Sequence, residues 1–343
     1  RDNYLVIVPE QFTMQTQRQL VDLSENKAIM NIDVLSFKRL AYRVFDELGI
    51  TNLTVLEETG KNLVLRKLAA QEADKLGVIG RNLNRIGYIS EVKSLLSELV
   101  QYNISPEELG RYIASGRLSD ALSDKLKDVL VLYEAFEKFM QDKYITAEEI
   151  LNMLSNVAEE SAILRNSVIA FDEFTGFTPN QYKVLRTIFN KAKEVNISLT
   201  VDNPHLLTYS KSDAFSRTKD TYAKIVKLCN EEGIKLLPSV DLNKDVLPRF
   251  KNSKELQHLE KYYNSYPYKI YEEKTNNIFI KEFNNLYSEV EQVAKEIVNL
   301  VRDKGVRYRD ITVATRDLNK YDFLVRSIFN EYKIPNFIDK KRE

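Results

Sequence analysis

The sequence predicts an α/β fold: a parallel-sheet domain with an all-helical insertion, followed by the start of a second α/β domain. Three observations support this prediction. The chain opens with two apolar strand patterns, each followed by a helical pattern. Helical periodicity alone then occupies residues 51–157. Strand patterns return near residue 168 and again near residue 278, which is typical of alternating α/β units.

The N-terminal stretch has a β-α-β-α pattern. Residues 4–8 form an apolar run, and a second strand pattern covers residues 32–35. Ser36 has the chemistry of a helix N-cap. Apolar residues then recur at helical spacing as far as Leu48. The other face of this predicted helix carries Lys38, Arg39 and Arg43.

Residues 51–157 are predicted to form an all-helical subdomain inserted into the first α/β domain. Three stretches of helical periodicity follow one another there, separated by turn signals such as Ser105-Pro106 and Ser115-Gly116. The first α/β domain is therefore predicted to consist of residues 1–50 and 158–274.

The stretch 167–179 is predicted to organise this domain. Its apolar run is typical of a strand buried in a parallel sheet, and it ends in Asp172 and Glu173. Thr178-Pro179 then supplies an N-cap and a first helical proline. Because ligands bind at the carboxyl ends of such strands, a P-loop ATPase would hold Mg²⁺ and polarise water here. The alternative is that Asp172 only caps a tight turn.

The C-terminal part is predicted to begin a second, truncated α/β domain over residues 275–343. A strand at residues 196–201 and a helix precede it, and residues 238–277 have the composition of a long connector. A β-α-β-α-β pattern follows, with strands at residues 278–280, 311–315 and 335–338.

Composition excludes several classes of protein. Fifty basic and fifty acidic residues give a net charge of zero, so a nucleic-acid contact must come from local patches. One cysteine excludes a disulfide framework and a Cys-ligated iron–sulfur cluster in this chain. With no long apolar run and no signal peptide, we expect a soluble cytoplasmic protein that does not enter a membrane. The chain lacks an initial methionine and a closing element, so we expect a piece of a longer protein.

The sequence offers no strong cofactor motif. Gly60-Lys61-Asn62 lacks the upstream glycine and the hydroxyl of a phosphate-binding loop, so we expect weak ATP binding or none. His205 and His258 stand apart from other ligand-type residues, and Cys229 falls on an apolar helix face. No metal site is predicted.

Two N-terminal stretches have the chemistry to contact nucleic acid. Residues 9–17 place amides and hydroxyls just after a strand, and side-chain amides suit base edges. Residues 36–43 alternate basic and aromatic side chains. This combination binds single-stranded nucleic acid by phosphate contact and base stacking. The alternative is a solvated helix face with Phe37 in the core.

Five motifs, in their order and spacing, resemble the AddB (RexB) family of Gram-positive type, the B subunits of the bacterial ATP-dependent helicase–nuclease AddAB. They are residues 4–11, 35–42, 171–179, 308–316 and 334–342. The resemblance covers the whole chain and implies a superfamily 1 helicase-like architecture. It implies a phosphate-binding loop before residue 4, and a nuclease domain with a 4Fe-4S cluster after Glu343. ATP, Mg²⁺ and the cluster would then be cofactors of the whole protein, with none in this stretch.

The resemblance also implies DNA recognition. In that family the AddA subunit drives unwinding, while the helicase-like part of AddB scans the emerging single-stranded DNA for the short Chi sequence during recombinational double-strand break repair. The family's recognition positions correspond to Gln11, Thr13, Phe37, Arg39 and Tyr42. Gln11 and Thr13 would read base edges, and Arg39 could bind a guanine bidentately. Phe37 and Tyr42 would stack on bases, although Tyr42 departs from the tryptophan often found there.

The carboxylates Asp172 and Glu173 do not decide whether the chain has the ATP-driven motor activity of a helicase. Active superfamily 1 helicases carry Asp-Glu at this place, whereas many AddB relatives lack the glutamate. No convincing set of arginines from the second domain accompanies the pair, so we predict that Asp172 and Glu173 are vestigial or structural. One alternative is a fragment of an active superfamily 1 motor. Another is a scaffold that mainly docks the A subunit, which the zero net charge favours.

Overall fold

The computed structural model describes residues 3–50, 54–78, 80, 86–116, 118–141, 144–146, 148–202, 211, 213–242 and 247–339. The chain divides into two compact units, Arg1–Asn243 and Lys244–Glu343.

A parallel sheet forms the centre of the first unit, and its four strands among the described residues are ordered β2-β1-β3-β4. They are β1 (Asn3–Ile7), β2 (Ile32–Leu35), β3 (Ser167–Phe171) and β4 (Glu194–Ile197). Ile7 is in register with Leu35 on one side and with Phe171 on the other. The predicted α/β class is thereby confirmed for this unit.

β4 lies earlier in the chain than the predicted strand at residues 196–201. Its ladder to β3 ends where β3 itself ends, at the pair Phe171 and Ile197. In the described part of the chain, the residues after Ile197 have no strand neighbour with which to continue the ladder, so the apolar alternation there does not extend the strand.

Ten α-helices accompany the sheet in the described part of the first unit. They are α1 (Thr13–Leu23), α2 (Phe37–Glu47), α3 (Glu58–Gln71), α4 (Ile86–Gln101), α5 (Pro106–Ala114), α6 (Asp120–Met140), α7 (Glu149–Val157), α8 (Ala162–Arg165), α9 (Pro179–Lys191) and α10 (Ser216–Glu231). Short 3-10 turns cover Glu10–Phe12, Ala73–Lys75 and Ala158–Glu160.

The predicted start of α9 is confirmed by its capping box. The Thr178 hydroxyl accepts a hydrogen bond from the backbone N–H of Gln181, and the Gln181 side chain accepts one from the backbone N–H of Thr178. Pro179 occupies the first helical position, where its missing N–H costs nothing. The turn after β3 therefore leads directly into α9.

Two hydrophobic cores form in the first unit. The sheet core includes Leu5, Ile169 and Phe171, each at most 2% exposed, and helices α2, α7 and α9 contribute to it. Helices α3 to α6 surround the second core. The predicted insertion, residues 51–157, includes α7, yet Ile150 and Leu154 of α7 are buried in the sheet core.

The second unit is helical in its described residues. It contains α11 (Lys254–Tyr262), α12 (Leu286–Lys304) and α13 (Leu318–Glu331), with 3-10 turns at Pro248–Phe250 and Tyr308–Asp310. Its core is formed by α12, α13 and Ile334. The predicted connector at residues 238–277 therefore contains a helix, α11, that the sequence prediction missed.

The strands predicted at residues 278–280, 311–315 and 335–338 are not formed within the described residues of this unit. A strand needs a hydrogen-bonded neighbour, and these segments have none there. Apolar side chains of the segments are instead exposed, Ile280 by 95% and Phe337 by 89%. The prediction of a β-α-β-α-β pattern was thus wrong for the described structure, although its two helices, α12 and α13, were confirmed. No described helix combines the length and apolar composition needed to cross a lipid bilayer.

Candidate functional site

The carboxyl edge of the sheet is the candidate site. All four strands run in one direction, so the residues that follow them lie at the same edge. Gln11 follows β1, α2 follows β2, Asp172 follows β3 and Ser198 follows β4. From β1 the chain passes to β2 on one side, whereas β3 and β4 lie on the other. In open α/β sheets this switch of direction is where ligands bind.

The 3-10 turn after β1 leaves one of two predicted DNA-contacting side chains exposed and buries the other. The side chain of Gln11 is exposed. Thr13 is only 5% exposed, and its hydroxyl donates a 3.0 Å hydrogen bond to the carbonyl oxygen of Glu10. Gln11 is therefore available to a ligand, whereas Thr13 holds the turn that presents it.

The first turn of α2 carries the arginine of the candidate site. The Ser36 hydroxyl caps this helix by accepting a hydrogen bond from the backbone N–H of Arg39. The Arg39 side chain is 55% exposed and its Nε lies 3.6 Å from Oε1 of Glu10. One turn further along α2, the equally exposed Arg43 pairs with Asp33 at 3.2 Å. Glu10 and Asp33 are partners that sequence reasoning had not assigned.

Phe37 lies in an aromatic cluster in the sheet core. It is 5% exposed, and its ring centroid lies 5.8 Å from that of Phe171, 5.7 Å from that of Phe174 and 6.2 Å from that of Phe177. A base could stack on Phe37 only if the ring left this cluster. The structure thus has Phe37 in the arrangement that the alternative interpretation expected, and its DNA contact stays a prediction.

Tyr42 occupies an intermediate position on α2. The side chain is half-buried against the sheet core. Its ring stands edge-to-face with that of Phe45, with 6.3 Å between the centroids. Only part of the Tyr42 ring is left for a ligand. Its stacking role stays a prediction as well.

The two carboxylates after β3 differ in environment. Asp172 accepts hydrogen bonds from the Ser198 hydroxyl and, at 2.9 Å, from the backbone N–H of Glu173. The backbone N–H of Asp172 donates to the carbonyl oxygen of Ile7, which continues the ladder between β3 and β1. Glu173 is exposed and has a φ of 62°, in the left-handed region that non-glycine residues rarely adopt. Asp172 thus closes a tight turn and Glu173 forms its strained corner.

These residues do not fit a Mg²⁺–nucleotide site by themselves. One oxygen of Asp172 already serves two donors. The described ranges also contain no group of three His, Cys, Asp or Glu residues arranged to hold a metal ion. His205 lies outside the described residues. The Nε2 atom of His258 is 2.9 Å from the carbonyl oxygen of Lys269, and burial raises the pKa of the Cys229 thiol. A cluster bound by four cysteines has no counterpart in a chain with one.

A cavity also lies beside the helical core. It has a volume of about 660 Å³, and its lining includes four glutamates together with Tyr133 and Phe136, so we call it the glutamate cavity. The four glutamates, Glu107, Glu134, Glu137 and Glu149, form no ion pair with any described residue. Partial burial and the charges of the other three raise the pKa of Glu137. No sequence motif indicated this cavity, because its lining comes from separate helices.

Comparison with known proteins gives a consistent result. The family described as "ADDB, N-terminal" matches residues 1–260. A Clostridioides difficile (strain 630) protein, named as the B subunit of an ATP-dependent helicase/deoxyribonuclease, is 52% identical over 343 residues, which are 99% of this chain and 30% of that protein. A protein of the same name from Caldanaerobacter subterraneus subsp. tengcongensis is 39% identical over 338 residues, 98% of this chain and 29% of that protein. Another, from Clostridium tetani (strain Massachusetts / E88), is 38% identical over 342 residues, 99% of this chain and 30% of that protein. The chain spans under a third of the length of these relatives.

Proposed function

The chain belongs to the AddB N-terminal family, and from this premise we propose that it is part of the B subunit of an ATP-dependent helicase/deoxyribonuclease. The similar proteins carry that activity in their names, and each is about three times as long as this chain. In the proposed complex the AddA subunit supplies the motor, and the assembly acts in recombinational repair of double-strand breaks in the cytoplasm.

Within that complex, the carboxyl edge of the sheet contacts single-stranded DNA and reads the Chi sequence. The observation that supports this role best is the exposed pair of Gln11 and Arg39 at one edge of the sheet. An arginine fork matches the two acceptors of guanine, and a glutamine amide offers one donor and one acceptor to a base. The ion pair of Arg39 with Glu10 is exposed and 3.6 Å long, so exchanging it for a base costs little.

The buried members of the predicted set support these two side chains. Thr13 fastens the turn that carries Gln11, and Phe37 anchors the first turn of α2 in the aromatic cluster. Tyr42 offers the exposed part of its ring as a neighbouring contact. The proposed division of roles is therefore base contact by Gln11 and Arg39, with positioning by Thr13 and Phe37.

In this proposal the region does not act as an ATP-driven motor. Asp172 is engaged in closing the turn after β3, and Glu173 sits at its strained corner. The rival function, an active superfamily 1 motor fragment, is favoured by the position of the same two carboxylates at the carboxyl end of a strand. Loss of DNA-stimulated ATP hydrolysis in the full two-subunit complex carrying Glu173→Gln, with AddA intact, would favour the rival.

A binding titration tests the DNA role. Fluorescence anisotropy of labelled single-stranded DNA is followed with the chain over a salt series, beside Gln11→Ala and Arg39→Ala. Arg43→Ala is a matched control, because Arg43 lies on the same helix, is also 55% exposed and also has an acidic partner. We expect Arg39→Ala to cost about 1–3 kcal/mol on a preferred sequence and less on others.

Two outcomes would contradict this proposal. Equal weakening by Arg39→Ala on every sequence would make Arg39 a phosphate contact, because phosphate contacts carry no sequence information. Binding that is absent, or that does not weaken as salt rises, would favour the scaffold that docks the A subunit.

A further inference from the structure

A tyrosine-rich surface of the second unit plays no part in the proposed function. Five of the chain's 19 tyrosines fall within residues 262–271. Three of them are strongly exposed: Tyr263 by 71%, Tyr266 by 88% and Tyr268 by 79%. We call the surface formed by α11 and residues 263–271 the tyrosine patch. Exposed aromatic surface concentrated in this way marks interaction sites.

The segment after α11 is fastened back onto the helix. The ring of His258 lies 4.8 Å from that of Tyr262 and 5.2 Å from that of Tyr271, between centroids. The Nε2 atom of His258 is also 2.9 Å from the carbonyl oxygen of Lys269. The exposed rings of Tyr266 and Tyr268 stand edge-to-face on this segment, 5.9 Å apart. The patch is therefore held by its own contacts within the second unit.

The patch also carries basic side chains. Four of its lysines, or lysines close to it, form no ion pair with any described residue: Lys251, Lys254, Lys261 and Lys269. The ammonium groups of Lys261 and Lys269 lie 5.7 Å and 4.7 Å from the centroid of the Tyr262 ring. Positive charge and aromatic faces thus share one surface.

Four acidic residues lie within the patch or directly after it: Glu255, Glu260, Glu272 and Glu273. Glu260 pairs with Arg249 at 3.5 Å. Glu255 is 8% exposed and accepts hydrogen bonds from the backbone N–H groups of Asn276 and Asn277. Glu273 accepts a 3.3 Å hydrogen bond from the Tyr271 hydroxyl. Glu255, Glu260 and Glu273 therefore have partners other than these lysines, which leaves the lysines available to an anion.

We propose that the tyrosine patch binds single-stranded DNA, with bases stacking on Tyr266 and Tyr268 and phosphates contacting Lys261 and Lys269. Proteins that bind single-stranded nucleic acid without sequence preference combine aromatic rings, on which bases stack, with basic side chains that contact phosphates. Duplex DNA hides its base faces and cannot use the rings. This second contact shares its ligand with the proposed function but depends on none of the residues at the sheet edge.

A single-tryptophan reporter tests the stacking directly. The chain has no tryptophan, so Tyr268→Trp introduces one fluorophore at the patch. On titration with oligothymidylate we expect saturable quenching that weakens as salt rises. Tyr287→Trp is the matched control, because Tyr287 is 52% exposed in α12 of the same unit and lies outside the patch, and we expect no quenching there.

Further variants separate stacking from charge. In anisotropy titrations, Tyr266→Ala is expected to weaken binding about tenfold, whereas Tyr266→Phe keeps the ring and the affinity. Changing both Lys261 and Lys269 to alanine is expected to reduce the salt slope by about 1.4, or about 0.7 for each lysine. Arg39→Ala in the Tyr268→Trp background should leave the quenching in place, which keeps this site distinguishable from the sheet edge.

Three outcomes would overturn the inference. The first is binding by anisotropy without quenching at residue 268, because the strand would then lie elsewhere. The second is equal quenching by duplex DNA, which would show contact without stacking. The third is quenching that disappears with Arg39→Ala, because the signal would then report on the sheet edge.

Discussion

Arg39 and Glu10 pair across the gap between the turn after β1 and the first turn of α2, with 3.6 Å between Nε and Oε1. Both side chains are more than half exposed, at 55% and 58%. The acidic partner restrains the arginine, and in the proposed function its negative charge would repel the phosphates of single-stranded DNA. If Arg39 contacts a base as proposed, Glu10 sets how readily Arg39 is released to it.

Removing the charge of Glu10 should strengthen DNA binding. In Glu10→Gln, Arg39 loses its partner and the edge gains one net positive charge, so we expect single-stranded DNA to bind roughly two- to tenfold more tightly at low salt. Anisotropy titration measures the change. Asp33→Asn, which releases Arg43 on the same helix, should have a smaller effect. Weaker binding by Glu10→Gln would show that Glu10 itself contacts the DNA.

Phe37 should matter for stability more than for contact. Phe37→Ala removes a ring that is 5% exposed from the aromatic cluster, and we expect a loss of about 3–5 kcal/mol in the free energy of unfolding. Phe37→Leu fills most of that space, so it should cost less and should leave DNA affinity near the wild-type value. Urea unfolding and anisotropy measure the two effects. A stable Phe37→Leu protein with DNA affinity lost would instead support direct stacking by Phe37.

The strained corner after β3 should accept glycine. Glu173 has a φ of 62°, which costs an L-residue about 1–2 kcal/mol. We expect Glu173→Gly to leave the free energy of unfolding unchanged or to raise it by about 1 kcal/mol, because relief of strain offsets the entropy that glycine loses on folding. Glu91→Gly on the exposed face of α4 is the control, with an expected loss of about 1 kcal/mol. A clear loss at residue 173 would reveal a stabilising contact of the Glu173 side chain.

The glutamate cavity should make stability depend on pH. The pKa of Glu137 is raised above its ordinary value of 4.5, first by burial and then by Glu107, Glu149 and Glu134. The folded state therefore holds that proton more tightly than the unfolded state. The contribution of Glu137 to the free energy of unfolding is fully present below pH 4.5. It is lost as the pH rises through the raised pKa.

The Glu137→Gln variant should not show this loss of stability as the pH rises. We expect the variant to exceed the wild type in free energy of unfolding at about pH 7.5, by less than about 1 kcal/mol because water screens the partly exposed group. The difference should vanish at about pH 4, below the unfolded pKa. Urea unfolding at both pH values measures it, with Glu91→Gln as a control outside the cavity. A destabilised variant at the higher pH would contradict this prediction, because it would show that the folded state favours the charged form of Glu137.

The sequence predicted three of the four described strands of the sheet well: β1, β2 and β3. β1 and β3 are apolar runs that neighbouring strands cover, so composition alone located them within one or two residues. The second unit shows the opposite case. Residues 311–315 have the same strand-like composition, but composition supplies no hydrogen-bonding neighbour, and no strand is formed there within the described residues. Strand formation depends on a partner that local sequence does not contain.

The sequence indicated where in the fold the candidate residues lie, but not how exposed their side chains are. The motif after β1 and the cap at Ser36 lie at the carboxyl edge of the sheet, as their places after two predicted strands indicated, because strand and helix limits follow local chemistry. Which side of each helix faces the core depends on the rest of the fold. Thr13 and Phe37 therefore proved buried. The partner of Arg39 was missed because Glu10 reaches it only after β1 and β2 pair.

The central position of β1 constrains the order of events during synthesis. β1 needs β3 as well as β2, yet all of helices α2 to α8 leave the ribosome between the two partners. At about 5–20 residues per second, that interval is on the order of ten seconds, during which one edge of β1 stays open. The helical core from α3 to α6 needs no residue beyond Met140 for its buried members. Nascent chains long enough to expose Met140 but not Phe171 should therefore resist protease in α3 to α6 while β1 and β2 are still cleaved, and equal protection of both would contradict this order.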